Sequence, residues 1–257
     1  RSRPAGALAI SVLLAACVSN PPTKPTGTRS LPQAVQQLAD DLVAQTTPTM
    51  LERLTSRKLV LDPFIDAKSG QQTKTTQQVS DLFARKLRAR DGNLQLQNFS
   101  TSGVEQAEYL IAGTIQQDEA TGKDYVMTST ITERRTGMVI ARSVARIRQE
   151  DIDATPTAFY ADSPSLVSDR LTQGYIKTSQ TAVGSQADQA YLSSITTAAV
   201  INEADKAYES QRWNDALVRY QTAEQRPDGK QLRVFNGLYN TFTKLGRSQA
   251  AETAFSQ

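Results

Sequence analysis

The chain has 257 residues, a formal net charge of +3, a single cysteine and no histidine. Without histidine there is no Ser-His-Asp or Cys-His arrangement, and the commonest side-chain ligand for transition metals is missing. A lone cysteine excludes a disulfide within the chain, and the mixed, nearly balanced charge argues against nucleic acid as a partner. No G-x-G-x-x-G, P-loop or CxxC motif occurs, so no cofactor and no metal is expected.

Arg1 and Arg3 precede an apolar run from Ala5 to Ala16 that closes in Leu14-Ala15-Ala16-Cys17. A charged start, a short apolar stretch and small residues before a cleavage point describe a secretory signal peptide. Twelve apolar residues are too few to span a bilayer, which takes roughly 20. The sequence around Cys17 resembles the lipobox of bacterial lipoproteins. That resemblance implies removal of residues 1–16 and lipidation of Cys17, palmitate included, as the first mature residue. In enterobacterial lipoproteins an aspartate after that cysteine holds the protein at the inner membrane. Val18 stands there in this chain, so the resemblance implies a periplasm-facing lipoprotein of the outer membrane, attached by its lipid anchor. Residues 17–30, with Pro21, Pro22 and Pro25 and no periodicity, read as a flexible tether.

About 240 residues follow the leader, enough for one or two domains. Ser30-Leu31-Pro32-Gln33 has the spacing of a capping box, and Val35, Leu38, Leu42 and Val43 then recur at helical spacing. Lys58–Ile65 is apolar and β-rich and predicts a strand, with Pro63 marking an edge or a bulge. Ser69-Gly70 turns the chain into a helix over Thr75–Arg90. Its apolar face carries Val79, Leu82, Phe83 and Leu87, and Asp91-Gly92-Asn93 is its stop. Leu94–Phe99, Tyr109–Gln117, Tyr125–Glu133 and Met138–Arg148 are strand candidates, the last two joined by a hairpin loop at Arg134–Gly137. Residues 31–150 therefore predict an α/β domain of sandwich type with a mixed sheet.

Residues 151–190 are rich in Ser, Thr, Pro and Gly and predict an extended connector. Their isolated aromatics, Phe159, Tyr160 and Tyr175, suit a segment that docks on the first domain rather than a free linker. Residues 191–257 predict an all-α end. There Ala204, Ala207, Tyr208, Trp213, Ala216, Tyr220 and Ala223 resemble a tetratricopeptide repeat, small residues standing where paired helices touch. Phe235, Leu238, Phe242, Gly246, Ala251 and Phe255 form a second copy, expected to be truncated. Ala216 and Ala251 lie 35 residues apart, against a family period of about 34. The fold class is thus α+β, with tetratricopeptide-type hairpins after the α/β domain.

Adjacent acids such as Asp40/Asp41, Asp118/Glu119 and Glu150/Asp151 read as solvated surface, and no nucleophile–base pair can be nominated, so catalysis is not expected. Arg142, Arg146 and Arg148 share parity on the last strand and form a candidate face for an anionic partner.

The strand Leu59-Val60-Leu61-Asp62-Pro63-Phe64-Ile65-Asp66 and the helix ending Phe83-Ala84-Arg85-Lys86-Leu87-Arg88-Ala89-Arg90 come before Glu108–Ile115 and its hairpin. Together, behind a lipobox and tether, they resemble the FlgO-like domain of outer-membrane lipoproteins. That domain looks related in fold to the penicillin-binding-protein activator lipoprotein B and the curli secretion lipoprotein G. The resemblance covers residues 31–150 and implies action by binding, in cell-wall synthesis, motility or secretion. A repeat pair is foreign to the simplest members, so their particular roles do not transfer. The layout is also similar to envelope lipoproteins whose repeats precede an OmpA-like, peptidoglycan-binding domain, which a longer form of this chain would add. The expectation is a non-enzymatic periplasmic scaffold or adaptor for an envelope complex, with periplasmic proteins as partners. The alternative is a homo-oligomeric, ring-forming secretion or assembly subunit.

Overall fold

The first helix, α1 (Leu31–Gln45), begins where the capping box places it: the Ser30 N–H donates to Gln33 Oε1 at 3.3 Å. The Leu31 N–H, another donor left free by helix geometry, is taken by Asp151 Oδ2 at 3.0 Å from the far end of the α/β layer. A computed structural model describes residues 27–46, 57–90, 94–166 and 168–257. The leader, Cys17, most of the tether and the Asp91-Gly92-Asn93 stop lie outside the described residues. Helix α2 (Lys74–Arg88) is capped by Thr73, whose side chain accepts from the Thr76 N–H while Thr76 Oγ1 accepts from the Thr73 N–H at 2.8 Å. Val35, Leu38 and Leu42 on α1 and Val79, Phe83 and Leu87 on α2 are buried in one core, each worth roughly 1.5–3 kcal/mol of transfer free energy.

That core lies on one face of a six-stranded mixed sheet. Its strands are β1 (Arg57–Leu61), β2 (Ile65–Asp66), β3 (Leu94–Gln97), β4 (Tyr109–Gln117), β5 (Tyr125–Glu133) and β6 (Val139–Ile147). The order is β3-β1-β4-β5-β6, and β2 pairs with β4 beyond the end of β1. β1 runs parallel to both β3 and β4, whereas β4, β5 and β6 form an antiparallel meander. On the opposite face lie α3 (Thr101–Gln106), α5 (Arg170–Gln180) and α6 (Gln189–Glu209), packed over Val60, Leu110 and Ala112. From β1 the chain crosses to β3 through α2, then returns past β1 to β4 through α3. Right-handed crossovers in opposite directions put their helices on opposite faces. The carboxyl ends of β1 and β3 consequently become a switch point, where an open sheet leaves a crevice.

Three expectations change. The predicted strand Lys58–Ile65 is two strands: Asp62, Pro63 and Phe64 leave the ladder, since Pro63 has no N–H to give it. Phe64 instead presses on β4, where a Cβ at Gly113 would stand only 2.2 Å from Phe64 Cε1. The strand predicted as Leu94–Phe99 ends at Gln97, because Ser100 accepts from the Gly103 N–H at 3.2 Å and starts α3, an element absent from the sequence reading. Residues 151–190, predicted to be extended, carry α4 (Ala158–Asp162) and α5, started by Asp169, which accepts from the Leu171 and Thr172 N–H groups. Docking on the first domain is observed: Lys74 N–H donates to Thr155 O, and Ser185 O accepts from Val139 N–H at 3.0 Å.

The two edges of the sheet differ. Along β6, Arg29 exchanges backbone bonds with Arg146 and Arg148, Ser185 bonds Val139, and the Gln45 amide caps both backbone groups of Arg142. β3, at the other end, pairs with β1 and nothing else among the described residues.

After α6 the chain forms α7 (Trp213–Glu224), α8 (Leu232–Lys244) and α9 (Ser248–Phe255), each packed on its predecessor. Ala204, Ala207, Ala216 and Ala223 are fully buried and let Tyr208 and Tyr220 enter the interior. At Gly237 a Cβ would lie 2.3 Å from the Tyr220 ring, so α8 approaches α7 as closely as a backbone can. Phe159 of α4 completes this core, edge-on to Tyr208 and stacked on Tyr220, with ring centroids 6.0 Å from each. No helix among the described residues is long and apolar enough to cross a membrane.

Candidate functional site

The crevice is built from the break after β1. The Asp62 N–H donates to Ile111 O at 3.0 Å, which keeps Asp62 against β4 while its carboxyl turns out of the ladder. Tyr175 of α5 secures the break: its hydroxyl oxygen accepts from the Gly113 N–H at 2.8 Å and lies 2.9 Å from Pro63 O and from Gly113 O. Tyr191 of α6 stacks edge-on against Tyr175 at 5.5 Å, and its own buried hydroxyl faces the Asp62 carboxyl. Above them stand Tyr160 of α4 and Arg233 of α8, whose guanidinium carbon is 5.8 Å from the Tyr160 ring centre. These groups enclose a cavity of about 60 Å³.

The charges are unevenly satisfied. Arg233 gives Nε (3.0 Å) and Nη2 to Asp205 Oδ2, and the Tyr220 hydroxyl donates to Asp205 Oδ1 at 2.6 Å. Burial works against the Arg233 charge, but the Asp205 carboxylate outweighs it and holds the guanidinium firmly protonated. Asp62 has no such partner. Burial pushes its carboxyl up to about 7, only partly opposed by Arg233, the Tyr191 hydroxyl and Lys206.

Beside this cavity, sharing Pro63, Gln72 and Tyr160 with it, runs a groove of about 480 Å³. One wall is α2, with Gln77 and Asp81; the floor is the exit of β3; the other wall is α6, with Lys206 and Glu209. Cross-links fix the walls: Asn202 Nδ2 donates to Phe99 O (2.9 Å), the Thr101 N–H donates to Glu203 Oε1 (2.9 Å), and Glu209 accepts from the Phe159 N–H (2.9 Å). Lys206 is held below its ordinary value by the desolvation of its surroundings, against the pull of Asp81 and Glu203. Such a groove offers polar side chains, a cation and acids over the end of a strand, and so suits binding of an extended segment.

The residues singled out by sequence fall elsewhere. Ala204, Tyr208, Ala216, Tyr220 and Ala223 are buried in the helical core, and Ala251 packs under α8, so these act by packing. Trp213 lies edge-on to Tyr208 at 4.8 Å and Phe242 is half-buried. Phe255 is 64% exposed and touches Tyr239, because Ala251 and Ala254 hold the buried face of α9. On β6, Arg146 pairs with Asp118 (3.0 Å) and Arg148 with Glu150 (2.8 Å) and Asp151 (3.3 Å). Arg142 makes no ion pair among the described residues, and burial lowers its pKa. Sequence reading missed Asp62, Tyr191, Asp205 and Arg233. A usable signal existed for Asp62, an acid before proline inside an apolar run; Arg233 offered none.

Among the described residues no group of three or more His, Cys, Asp or Glu side chains is placed to hold a metal ion. No protein-family model matches the chain, and no curated protein sequence matches it. Among solved structures the chain is similar to the LpoB C-terminal domain from Salmonella enterica, with 11% identity and a TM-score of 0.34, over 47% of this chain and 100% of that chain. A likeness of that degree transfers neither fold nor role.

Proposed function

We propose that this chain is an adaptor of the bacterial envelope, anchored at the outer membrane through lipidated Cys17, and that it holds a periplasmic protein partner in the groove between α2 and α6. The observation that carries this reading is the groove itself: about 480 Å³, floored by the end of β3, with walls fixed by hydrogen bonds from α6 to the exit of β3. In this reading α6–α9 act as two tetratricopeptide-type hairpins, rigid enough to keep the α6 wall in place. The lipobox supplies the address and the groove supplies the activity, which is recognition rather than chemistry.

The test is capture from detergent-solubilised envelope by the lipidated chain, a Cys17→Ala chain and a groove variant carrying Gln77→Trp and Lys206→Glu. Gln77 and Lys206 are exposed on the two walls, so the variant fills and recharges the groove without touching either core. The expected result is a partner set retained by the lipidated chain and lost by the folded groove variant, with Cys17→Ala lost from the membrane fraction. A folded groove variant that captures the same set overturns the reading.

A further inference from the structure

The cavity over Asp62 is lined by carboxyl and hydroxyl groups and by one cation, Arg233, which is already committed to Asp205. Asp62 is 8% exposed, Tyr191 is 4% exposed, and the Tyr191 hydroxyl and the Asp62 carboxyl face each other with no other side chain hydrogen-bonded to either among the described residues. A buried carboxyl served by one facing hydroxyl alone keeps unused acceptor capacity, and buried polar groups left short of partners are costly. The surrounding charge has a definite sign. Arg233 is neutralised by Asp205, while Asp169, at the start of α5, adds a second carboxylate to the lining. The remaining cation acting on Asp62 is Lys206, exposed in the neighbouring groove. The walls are the rings of Tyr160, Tyr175 and Tyr191, and Tyr160 already carries one cation, the guanidinium of Arg233, over its face.

We propose that this cavity binds a primary alkylammonium group, which donates to the Asp62 carboxylate and the Tyr191 hydroxyl between the tyrosine rings. The about 60 Å³ available accommodates roughly four to six water-sized atoms, the size of a propylammonium head and too little for a bulky quaternary amine. The group has two possible sources, a free small amine or the amine end of a longer chain such as a lysine side chain; both present the same chemistry to Asp62. The site is separate from the peptide groove and holds whether or not the adaptor reading does.

The test is calorimetric titration of the full chain with propylammonium, n-propanol and propionate, which share a skeleton and differ in charge. Propylammonium is expected to bind and the other two are not. Asp62→Asn, a near-isosteric change, and Tyr191→Phe are each expected to lower the ammonium affinity about tenfold or more while circular dichroism shows an intact fold. Titration with Nα-acetyl-lysine methylamide separates the sources. Binding by it as well as by propylammonium assigns the site to an amine borne on a longer chain, and binding by propylammonium alone assigns it to a free amine. Propionate or propanol binding as well as the amine, no amine binding, or unchanged amine affinity in a folded Asp62→Asn chain overturns the proposal.

Discussion

At the residue scale, Asp62 sets how this protein responds to pH. Its folded carboxyl titrates at about 7 against an ordinary 3.8, a gap of roughly 4 kcal/mol, because burial disfavours the charge. Between those values the folded chain holds a proton that the unfolded chain has released. Stability from this group is therefore complete below about pH 4 and lost as pH rises through about 7. Of the groups that face it, Arg233, the Tyr191 hydroxyl and Lys206 favour the charge, while burial pushes the Tyr160 and Tyr175 hydroxyls up, away from that window. Denaturant unfolding is expected to show the wild-type chain losing stability against Asp62→Asn across that window by up to about 4 kcal/mol. Parallel pH profiles for the two chains would falsify this account. The residue was partly legible: an acid followed by proline in an apolar run announces a break, but its burial is a property of α5, α6 and α8 closing over it.

At the scale of elements, sequence reading succeeded where a pattern is carried by many residues. The hairpin strands β4 and β5 occupy the predicted spans, and α1 starts at its predicted cap, because alternation and capping are local. It failed for α3, α4 and α5, short or polar helices whose stability comes from what they dock against. Phe159 shows the reason. Its helix, α4, has five residues and no periodicity to detect, yet the side chain is fully buried among Tyr160, Tyr208 and Tyr220. Phe159→Ala is expected to cost about 3–5 kcal/mol, as a lower unfolding midpoint with an unchanged denaturant slope. A loss under about 1 kcal/mol would place the ring outside the helical core. The sequence reading took Phe159 for an aromatic of a connector that docks on the first domain, whereas it serves as part of the core of α6–α8.

At the scale of the whole molecule, the crevice exists because two crossovers leave β1 and β3 for opposite faces and the helices after α5 fold back over the resulting gap. Neither fact is written at any one position: Asn202, Glu203 and Glu209 are unremarkable polar residues of a helix until α6 lies across the exit of β3. The α+β class and the mixed sheet were legible from the order of elements, whereas the site was not, being made by packing between segments some 100 residues apart in sequence.

The sheet's unequal edges bear on how copies of this chain meet. With β6 covered at Val139, Arg142, Arg146 and Arg148 by Ser185, Gln45 and Arg29, edge pairing among the described residues has a valence of one, offered by β3. A unit with one bond to give can join a twin but cannot grow a chain of sheets, however crowded its surroundings. Light scattering over a concentration series is expected to level off at or below twice the mass of the chain. Growth beyond that would mean the β6 seal opens in solution. High local concentration brings the danger of runaway strand addition; a single live edge turns that danger into a reversible pairing.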